Sequence, residues 1–406
     1  MTRAACTIVS LNYLPYARTL CDSFLEQHPE LPFYVLIVDR RSPDLDLSRE
    51  RFQIIWVEEL GIPNFLSAAF KFDILELNTN VKATFLKHLL GSGVDGLIYF
   101  DPDILICSSV GFIFDLLQSS SIVVTPHALS PNNAAPAGEA ILLYSGVFNL
   151  GFIAVANTEE SMRFLAWWEN RCLTEGFVER RSGLFVDQKW INLVPCYYDH
   201  VTILKHPGCN VAYWNLHERS IAKDRQRWIV NGSVQLVFYH FSGVPVDGGT
   251  LISKGYDQFT LELLPSLAEL FEFYRAELLK NGIRELGKHQ YAFARYDNGQ
   301  FINKLQRALY AAHLEDFQDT GDPFQTSNQF YRWTKEQHLL GVQDSAAQYN
   351  RRTMNADDSK VKLVNSFLRL LLRLGGVDRY TVLMKYFGFI SVLRNQKEIF
   401  PVSRQS

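Results

Sequence analysis

The first sixty residues contain three short apolar runs, and a segment with apolar residues at helical spacing lies between the first two. No other feature of the sequence limits the possible folds as strongly. Runs at 5–11, 33–38 and 52–57 have the length and composition of strands, and residues 16–27 carry apolar side chains at helical spacing. Strands that alternate with helices pair in parallel, with helices on both faces of the sheet. The sequence therefore predicts an α/β protein.

Polar residues stand where the first two predicted strands end. Ser10 and Asn12 stand at the end of the first strand, and Asp39 stands at the end of the second. In open α/β sheets, ligands bind beyond the carboxyl ends of the strands, at the switch in strand order. These three residues are therefore candidates for ligand contact.

A carboxylate pair follows a fourth apolar run, at 96–100. Asp101 and Asp103 flank Pro102, and two carboxylates so close together favour a bound cation, with Mg²⁺ or Mn²⁺ the best match for oxygen ligands. The same spacing is compatible with a turn in which Pro102 fixes φ. A second Asp-x-Asp, at Asp44 and Asp46, has no apolar run before it and is predicted to be a solvated turn.

A histidine ends another predicted strand, at 234–239, and repeats the arrangement seen at Asp101. His240 there is followed by Phe-Ser-Gly243. A neutral imidazole in this position could complete a metal site, although a single histidine is also a common structural residue.

Two further stretches place polar residues inside apolar segments. Asn149 interrupts the run at 147–156 and is followed by Gly151, which allows close approach of a ligand or forms a β-bulge. Asp187 and Gln188 lie in an apolar segment at 184–192. They could face a reacting group, or Asp187 could cap a short helix.

An aromatic and amide-rich stretch occupies 206–219. Flat rings stack on the C–H faces of sugars and amides bond their hydroxyls, so the composition suits a carbohydrate surface as well as an ordinary core. The candidates in this stretch are Asn210, Trp214 and Asn215.

Taken in chain order, these pieces resemble a bacterial glycosyltransferase family of the GT-A (Rossmann-like) fold, related to the retaining glycogenin-like and lipopolysaccharide galactosyltransferase enzymes. The resemblance covers most of residues 5–255. Its stretches are Asn-Val-Lys-Ala-Thr-Phe-Leu at 80–86, Leu-Ile-Tyr-Phe-Asp-Pro-Asp-Ile-Leu at 97–105, Gly-Val-Phe-Asn-Leu-Gly-Phe-Ile-Ala-Val at 146–155, Trp-Trp at 167–168, Phe-Val-Asp-Gln-Lys-Trp at 185–190, Pro-Gly-Cys-Asn-Val-Ala-Tyr-Trp-Asn-Leu at 207–216 and Phe-Tyr-His-Phe-Ser-Gly at 238–243. Residues 296–333 look like a tail that accompanies such enzymes.

The resemblance implies a role for each candidate residue. Asp101, Asp103 and His240 match metal ligands, which would hold Mn²⁺ or Mg²⁺. Matches to nucleotide-binding positions are Ser10, Asn12, Asp39 and Gly243. Matches to the sugar and acceptor side are Asn149, Gly151, Asn210, Trp214 and Asn215, with Asp187 and Gln188 at the reaction face.

One departure from the family pattern concerns the diphosphate. Glycogenin-like enzymes carry a lysine shortly after the His-Phe-x-Gly, whereas Val-Pro-Val-Asp-Gly-Gly follows Gly243 here. Lys82, with Lys254 or Lys71 as alternatives, is the candidate replacement. A retaining reaction is implied by the resemblance; in an inverting reaction, Asp187 would be the general base.

Composition limits the remaining classes of function. A net charge of −3 predicts no general affinity for nucleic acid. Six scattered cysteines without a Cys-x-x-Cys pair are typical of buried thiols in a reducing compartment, and no apolar stretch is long enough for a transmembrane helix. A cytoplasmic protein is expected, and an oligomer is compatible with the sequence.

Three regions are predicted along the chain. Residues 1–258 form a catalytic GT-A domain, 259–342 a helical extension, and 343–406 a polar linker followed by a basic amphipathic helical tail. Residues 351–406 contain eleven Lys or Arg and four Asp or Glu, a net charge of +7. The stretch 360–395 could contact an anionic membrane near a lipid-linked acceptor, or pack on protein.

The sequence thus predicts a metal-dependent glycosyltransferase that moves a sugar from a nucleoside-diphosphate sugar, with UDP expected, to a glycan, lipid-linked or protein acceptor. A non-catalytic nucleotide-sugar or glycan-binding protein with the same fold is the alternative from another class. It would bind a nucleotide-sugar without turnover.

Overall fold

The computed structural model describes residues 2–43, 45–132, 136–254, 256–341 and 358–402. These residues pack into two compact units, the first formed by 1–63 and 74–292 and the second by 64–73 and 293–406. The strands are β1 (Arg3–Val9), β2 (Phe33–Ile37), β3 (Gln53–Trp56), β4 (Gly96–Phe100), β5 (Ile104–Ile106), β6 (Ile122–Pro126), β7 (Phe148–Ala156), β8 (Val201–Ile203), β9 (Ile221–Asp224), β10 (Arg227–Val230), β11 (Val234–Gln235), β12 (Phe238–His240), β13 (Leu251–Ser253) and β14 (Tyr256–Thr260).

Helices make up much of the rest of both units. They are α1 (Leu14–Gln27), α2 (Phe65–Lys71), α3 (Ile74–Asn80), α4 (Lys82–Gly91), α5 (Gly111–Leu116), α6 (Pro136–Ser145), α7 (Glu159–Glu175), α8 (Val194–Tyr197), α9 (Ala268–Lys280), α10 (Ile283–Leu286), α11 (Lys304–Ala312), α12 (Leu314–Phe317), α13 (Gln329–Glu336) and α14 (Ser359–Ile390). The short helix that Asp187 was a candidate to cap is a 3₁₀ helix at Lys189–Leu193, and its N-cap residue is Gln188. Among the described residues, no helix has the length and apolar character needed to cross a bilayer.

A seven-stranded sheet in the order β3-β2-β1-β4-β7-β6-β8 forms the centre of the first unit. The α/β class and the helical C-terminal region are thereby confirmed, but the expectation of an all-parallel sheet is wrong. Strand β7 runs antiparallel to both of its neighbours. The chain does not cross to the other end of the sheet after β6: Pro126, at the end of β6, pairs with Phe148, at the start of β7.

The reversed strand decides which residues meet at the site. Because β7 is antiparallel to β4, the beginning of β7 lies beside the end of β4. Phe100 pairs with Phe152, and the Asp101 N–H donates to the Gly151 carbonyl at 2.8 Å. Asn149 and Gly151 therefore lie at the same sheet edge as the carboxylate pair.

The core of the first unit includes two clusters of buried apolar side chains. One packs α1 and α5 against the central sheet, with Phe24, Phe100 and Phe152 among its fully buried members. The other packs α9 against β12, and there Phe241 stacks on Tyr274 with ring centroids 3.8 Å apart. The predicted boundary between 258 and 259 therefore falls inside this unit, because α9 supplies part of its core.

The second unit is built around an aromatic cluster. The ring of Phe70 packs against Tyr296, Tyr310, Phe324 and Phe330. The Arg307 guanidinium donates to three carbonyls of the 64–73 segment, those of residues 69, 70 and 72, at 2.7–3.1 Å. These contacts explain why a short segment near residue 70 belongs to the C-terminal unit.

Helix α14 follows in the second unit and is interrupted at one residue. Gly376 has φ 76° and ψ 170°, which breaks the helix into two segments. None of its thirty-two residues, all of which the structure describes, is buried. The polar stretch predicted as a linker lies mostly outside the described residues.

Candidate metal-binding site

Two short strands bring His240 to the carboxylate pair. After Asp103 the chain forms β5, and β12 pairs with it antiparallel so that His240 lies opposite Ile104. The Phe241 N–H also donates to the Asp103 carbonyl at 2.8 Å. His240 Nε2 is 3.0 Å from Asp103 Oδ1 and 4.0 Å from Asp101 Oδ2. The structure thus brings together the three predicted metal residues, the outermost of which, Asp101 and His240, are 139 positions apart in the sequence.

The chemistry of this group fits a divalent cation. One oxygen or nitrogen atom from each of Asp101, Asp103 and His240 lies within 4.8 Å of the others. The carboxylates are partly exposed and His240 is buried. Burial acts to lower the pKa of His240, but Asp103 and Asp101 outweigh it and raise that pKa above its ordinary value. Negative charge therefore dominates at the imidazole, which is the environment that attracts a cation.

A buried lysine lies beside the carboxylates. Lys82 Nζ is 2.7 Å from Asp187 Oδ2 and 3.6 Å from Asp101 Oδ1, and it donates to the Leu150 carbonyl at 2.8 Å. Burial acts to lower the pKa of Lys82, but the two carboxylates outweigh it and raise the pKa, so the ammonium stays charged. The Tyr99 hydroxyl donates to Asp101 Oδ1 at 2.7 Å.

These contacts differ from the role expected for Lys82 from the sequence, which was contact with the diphosphate. A side chain only 1% exposed, with its ammonium surrounded by protein acceptors, holds Asp101 and Asp187 in place. Its position suits the organisation of the carboxylates better than direct contact with a diphosphate. Lys254 is exposed, and Lys71 belongs to the second unit.

The two candidates at the reaction face are anchored by the scaffold. Asp187 is 2% exposed and forms the ion pair with Lys82. The Gln188 amide accepts from the Leu150 N–H and donates to the Ser145 carbonyl, both at 3.1 Å. The backbone at Gly146, with φ 123°, packs against the Gln188 side chain. Both residues therefore border the site and support the start of β7.

Asn149 is held in one orientation by a histidine that the sequence did not single out. Burial lowers the pKa of His127 to about 4, so its ring is neutral. With its Nδ1 next to the Val147 carbonyl, its Nε2 can accept from Asn149 Nδ2 at 3.2 Å. Asn149 Oδ1 then accepts from the Gly151 N–H at 3.1 Å.

The aromatic and amide-rich stretch contributes to the same edge in two ways. Asn215 is fully buried and donates to the carbonyls of His127 and Asn210, each at 2.9 Å, which is a structural task. Trp214 packs edge-on against the His240 ring, with centroids 5.1 Å apart. Asn210 Oδ1 lies 3.3 Å from His240 Nδ1.

The predicted nucleoside residues lie at the ends of β1 and β2. The Ser10 hydroxyl donates to Asn12 Oδ1 at 2.6 Å. Asp39 is fully buried and accepts from the N–H groups of Leu11, Arg40 and Ala292. Burial raises the pKa of Asp39, and these three hydrogen bonds oppose the rise. Asp39 therefore organises the loop that follows β1.

An exposed tyrosine in that loop was also missed. Tyr13 stacks on Tyr16 with ring centroids 4.7 Å apart, and burial together with the charge of Asp103 raises its pKa. Tyr13 as a whole is 42% exposed. The effect of Asp103 on its pKa indicates that its hydroxyl lies within electrostatic reach of that carboxylate. The signal in the sequence was its place directly after Ser10 and Asn12, at a predicted strand end.

Two predictions remain: Gly243 was expected at the nucleotide, and the second Asp-x-Asp was expected in a solvated turn. Gly243 has φ 70°, and a Cβ there would lie 2.9 Å from Ser253 Oγ, so the position requires glycine. Asp46 is exposed, and its carboxylate accepts from the Ser48 N–H, as expected of a solvated turn. Its partner Asp44 lies outside the described residues.

No family model matches the chain. The uncharacterized protein YfnF of Bacillus subtilis (strain 168) is 25% identical over 277 residues, which cover 67% of this chain and 91% of that protein. Among solved structures, the chain is similar to the galactosyltransferase LgtC in complex with donor and acceptor sugar analogues (TM-score 0.39, 14% identity, 67% of this chain and 95% of that chain). It is also similar to the glycosyltransferase GlyE of Streptococcus pneumoniae TIGR4 (TM-score 0.40, 15% identity, 71% of this chain and 66% of that chain). At these levels of similarity, the assignment of a function rests on the residues of the site.

Proposed function

We propose that this protein is a metal-dependent glycosyltransferase of the GT-A type that transfers a sugar from a nucleoside-diphosphate sugar. The observation that carries the proposal is the Asp101, Asp103 and His240 group at the edge of the central sheet, with ligand atoms within 4.8 Å of one another. Open α/β sheets bind nucleotides at this edge. The group thus combines a nucleotide-binding location with donors for a hard cation.

Asp101, Asp103 and His240 would hold Mn²⁺ or Mg²⁺. The cation would neutralise the charge that develops on the departing nucleoside diphosphate. The buried Lys82 ammonium lies 3.6 Å from Asp101 Oδ1, and Tyr99 holds the same carboxylate by a hydrogen bond. Asp101 would thereby be in place before substrate arrives.

The nucleotide, which we infer to be UDP, would lie along the ends of β1 and β2. Ser10, Asn12 and Asp39 are there, and the exposed ring of Tyr13 offers a flat surface for a base. The donor sugar would lie near the start of β7, at Asn149 and Gly151. A glycan, lipid-linked or protein acceptor would enter from the open side of the same edge.

Retention of the anomeric configuration is the reaction that the side chains favour. An inverting enzyme needs a carboxylate that can take a proton from the acceptor. Asp187, the candidate for that role, is 2% exposed and paired with Lys82, which leaves it poorly placed to reach an acceptor. In the retaining reaction the acceptor attacks on the face from which the diphosphate leaves, and positioning carries the catalysis.

A screen of nucleotide-sugars tests this proposal. The wild-type protein, incubated with UDP-, GDP- and dTDP-sugars, should release nucleoside diphosphate from one UDP-sugar only when Mn²⁺ or Mg²⁺ is present. Asp103→Asn should abolish the release, and Asp46→Asn, in the other Asp-x-Asp, should leave it unchanged. Binding of a nucleotide-sugar with no turnover would support the non-catalytic alternative. NMR of the product should show that the anomeric configuration of the donor sugar is retained. An inverted configuration would contradict the proposed retaining reaction.

We further propose that α14 rests on an anionic membrane at the cytoplasmic face. Leu363, Phe367, Leu370 and Leu374 recur at helical spacing on one side, and each is at least half exposed. The helix carries six Lys or Arg and one Asp. Cations flanking an apolar stripe match a bilayer with anionic headgroups.

Vesicle flotation separates this proposal from its alternatives. The full chain should float with vesicles containing phosphatidylserine, and much less with neutral vesicles. Leu363→Ser combined with Phe367→Ser should reduce flotation while the melting temperature stays unchanged. If the same fraction of the protein stays in solution with anionic vesicles, with neutral vesicles and after the two substitutions, membrane contact is contradicted. A dimer in solution that these substitutions dissociate would instead assign α14 to a second copy of the chain.

A further inference from the structure

His240 has two ring nitrogens in different surroundings. Nε2 faces the carboxylates, 3.0 Å from Asp103 Oδ1. Nδ1 faces away from them and lies 3.3 Å from Asn210 Oδ1. A neutral imidazole has one N–H donor and one lone pair, and the partner of one nitrogen decides which nitrogen carries the proton.

Only one tautomer of His240 can bind a cation next to Asp101 and Asp103. Nε2 must present its lone pair, so Nδ1 must keep its hydrogen, and a buried N–H needs an acceptor. Among the described residues, the amide oxygen of Asn210 is placed to accept from Nδ1. A donor at that position would reverse the tautomer and direct an N–H towards the cation.

Asn210 is fixed to the strand that carries His240. Its backbone is left-handed, with φ 54°, and its carbonyl accepts from Asn215 Nδ2 at 2.9 Å. The next residue, Val211, accepts from the His240 N–H at 2.8 Å. The Asn210 side chain is fully buried, so its amide cannot move to solvent.

The ring of His240 is equally constrained on its other sides. Trp214 packs against it edge-on, and a Cβ at Gly151 would lie 2.4 Å from its Cε1. Because ring and amide are both fixed, the contact between them persists when the carboxylates bind or release a cation. The Nδ2 group of Asn210 has no partner within the described part of the chain. A buried donor without a partner costs about 1–3 kcal/mol, so stability alone does not account for this side chain.

We propose that Asn210 is a positioning residue for the metal site, which holds His240 in the tautomer with the proton on Nδ1 and the lone pair on Nε2. The proposal rests on the proposed function through the metal site alone. It requires neither a particular nucleotide nor a particular acceptor. Asn210 was expected on the sugar side; its contacts assign it to the histidine.

Two substitutions at this position separate the amide oxygen from the backbone conformation. Asn210→Gly removes the acceptor but accommodates φ 54° without strain. Asn210→Asp keeps an oxygen acceptor for Nδ1. Affinity for Mn²⁺, measured on the full chain by electron paramagnetic resonance, should fall by about 10–100-fold in the glycine variant, as for other groups that orient a metal ligand. The aspartate variant should stay close to wild type.

Asn231 supplies a matched control. It is also left-handed, with φ 51°, but it is exposed, and its side chain accepts from the Ser220 N–H at a different turn. Asn231→Gly should bind Mn²⁺ as the wild type does. A loss in this variant as large as that in Asn210→Gly would overturn the specific role of Asn210.

The tautomer is read directly by ¹⁵N NMR of histidine-labelled protein with Mg²⁺, using His240→Gln to assign the resonance. Protonated Nδ1 and unprotonated Nε2 are expected in the wild type. A protonated Nε2, or Mn²⁺ binding by Asn210→Gly equal to that of wild type, would overturn the inference while leaving the metal site intact. A wild-type protein that binds no divalent cation would overturn both the inference and the proposed metal site.

Discussion

The sheet edge of the first unit and helix α14 of the second both carry charged side chains. At the sheet edge several of these are buried and paired, whereas no residue of α14 is buried. At the sheet edge, Lys82 is 1% exposed and contacts two carboxylates, and His240 contacts a third. On α14 no residue is buried, and Leu363 and Leu374 are 73% and 77% exposed. The comparison distinguishes a cluster of charged side chains that contact one another from a helix in which no residue is buried.

This difference has a physical consequence. Buried charges are stable only while every partner is present, so the sheet edge should respond strongly to single substitutions. Exposed side chains contribute little to the folded state, so α14 should respond weakly in stability and strongly in binding.

Lys82→Met should have the largest effect on stability. It leaves the buried Asp187 carboxylate without its cation, and breaking a buried ion pair from one side costs about 3–5 kcal/mol. Chemical denaturation would measure the loss. Lys82→Met combined with Asp187→Leu should recover most of the stability, because no unpaired charge remains at Asp187. A single variant as stable as wild type would show that the pair does not hold the edge together.

Gly151→Ala should come next. An added Cβ would lie 2.4 Å from His240 Cε1 and 2.8 Å from Asn149 Oδ1, so the histidine must move. Mn²⁺ affinity should fall by about 10–100-fold, as when a metal ligand loses its orientation. Calorimetric titration would measure it. Gly91→Ala is the control, because a Cβ there meets nothing within 4 Å. This variant should bind Mn²⁺ as tightly as the wild type.

The pH dependence of Mn²⁺ binding provides a third test. Asp103 and Asp101 raise the pKa of His240 despite its burial, and a proton on Nε2 competes with the cation. Affinity should therefore be full above this raised pKa and fall by about tenfold for each pH unit below it, since one proton is displaced. In His240→Gln, the residual affinity should lose this part of the pH dependence. An affinity independent of pH between 5 and 8 would contradict the role of His240.

The smallest effect is expected on α14. Leu363→Ser should change the free energy of unfolding by no more than about 0.5 kcal/mol, because the side chain is already in water. Leu97→Ser, in the fully buried strand β4, should cost several times more, because it leaves a cavity and buries a hydroxyl. Denaturation of the two variants side by side gives the comparison. Similar losses would mean that α14 is covered in the folded protein.

Local patterns in the sequence predicted the strands and helices whose formation depends on residues close together in the chain. Strand β1, helix α1 and strand β4 were predicted within a few residues of their bounds, because apolar periodicity reports burial of one face or of both. The reversed direction of β7 was missed, since it depends on how residues 127–147 connect two strands. The strand ends nevertheless singled out Asp101 and His240, because each follows an apolar run, and the family resemblance joined them with Asp103 as expected metal ligands.

The supporting residues of the site could not be predicted in the same way. Lys82 looked like a diphosphate ligand, and its burial depends on pairing with Asp187, more than a hundred positions away. His127 carried no motif, and its role follows from its neutral ring between Val147 and Asn149. Such contacts arise only when distant segments pack, so no local pattern records them.

The central claim is that Asp101, Asp103 and His240 form one cation site at the end of β4. Anomalous diffraction at the manganese edge, from crystals soaked with Mn²⁺ and UDP, tests it most directly. A single strong peak bonded to both carboxylates and to His240 Nε2, and absent from crystals of Asp103→Asn, is the predicted result. A manganese peak elsewhere, or none at the three side chains, would contradict the account.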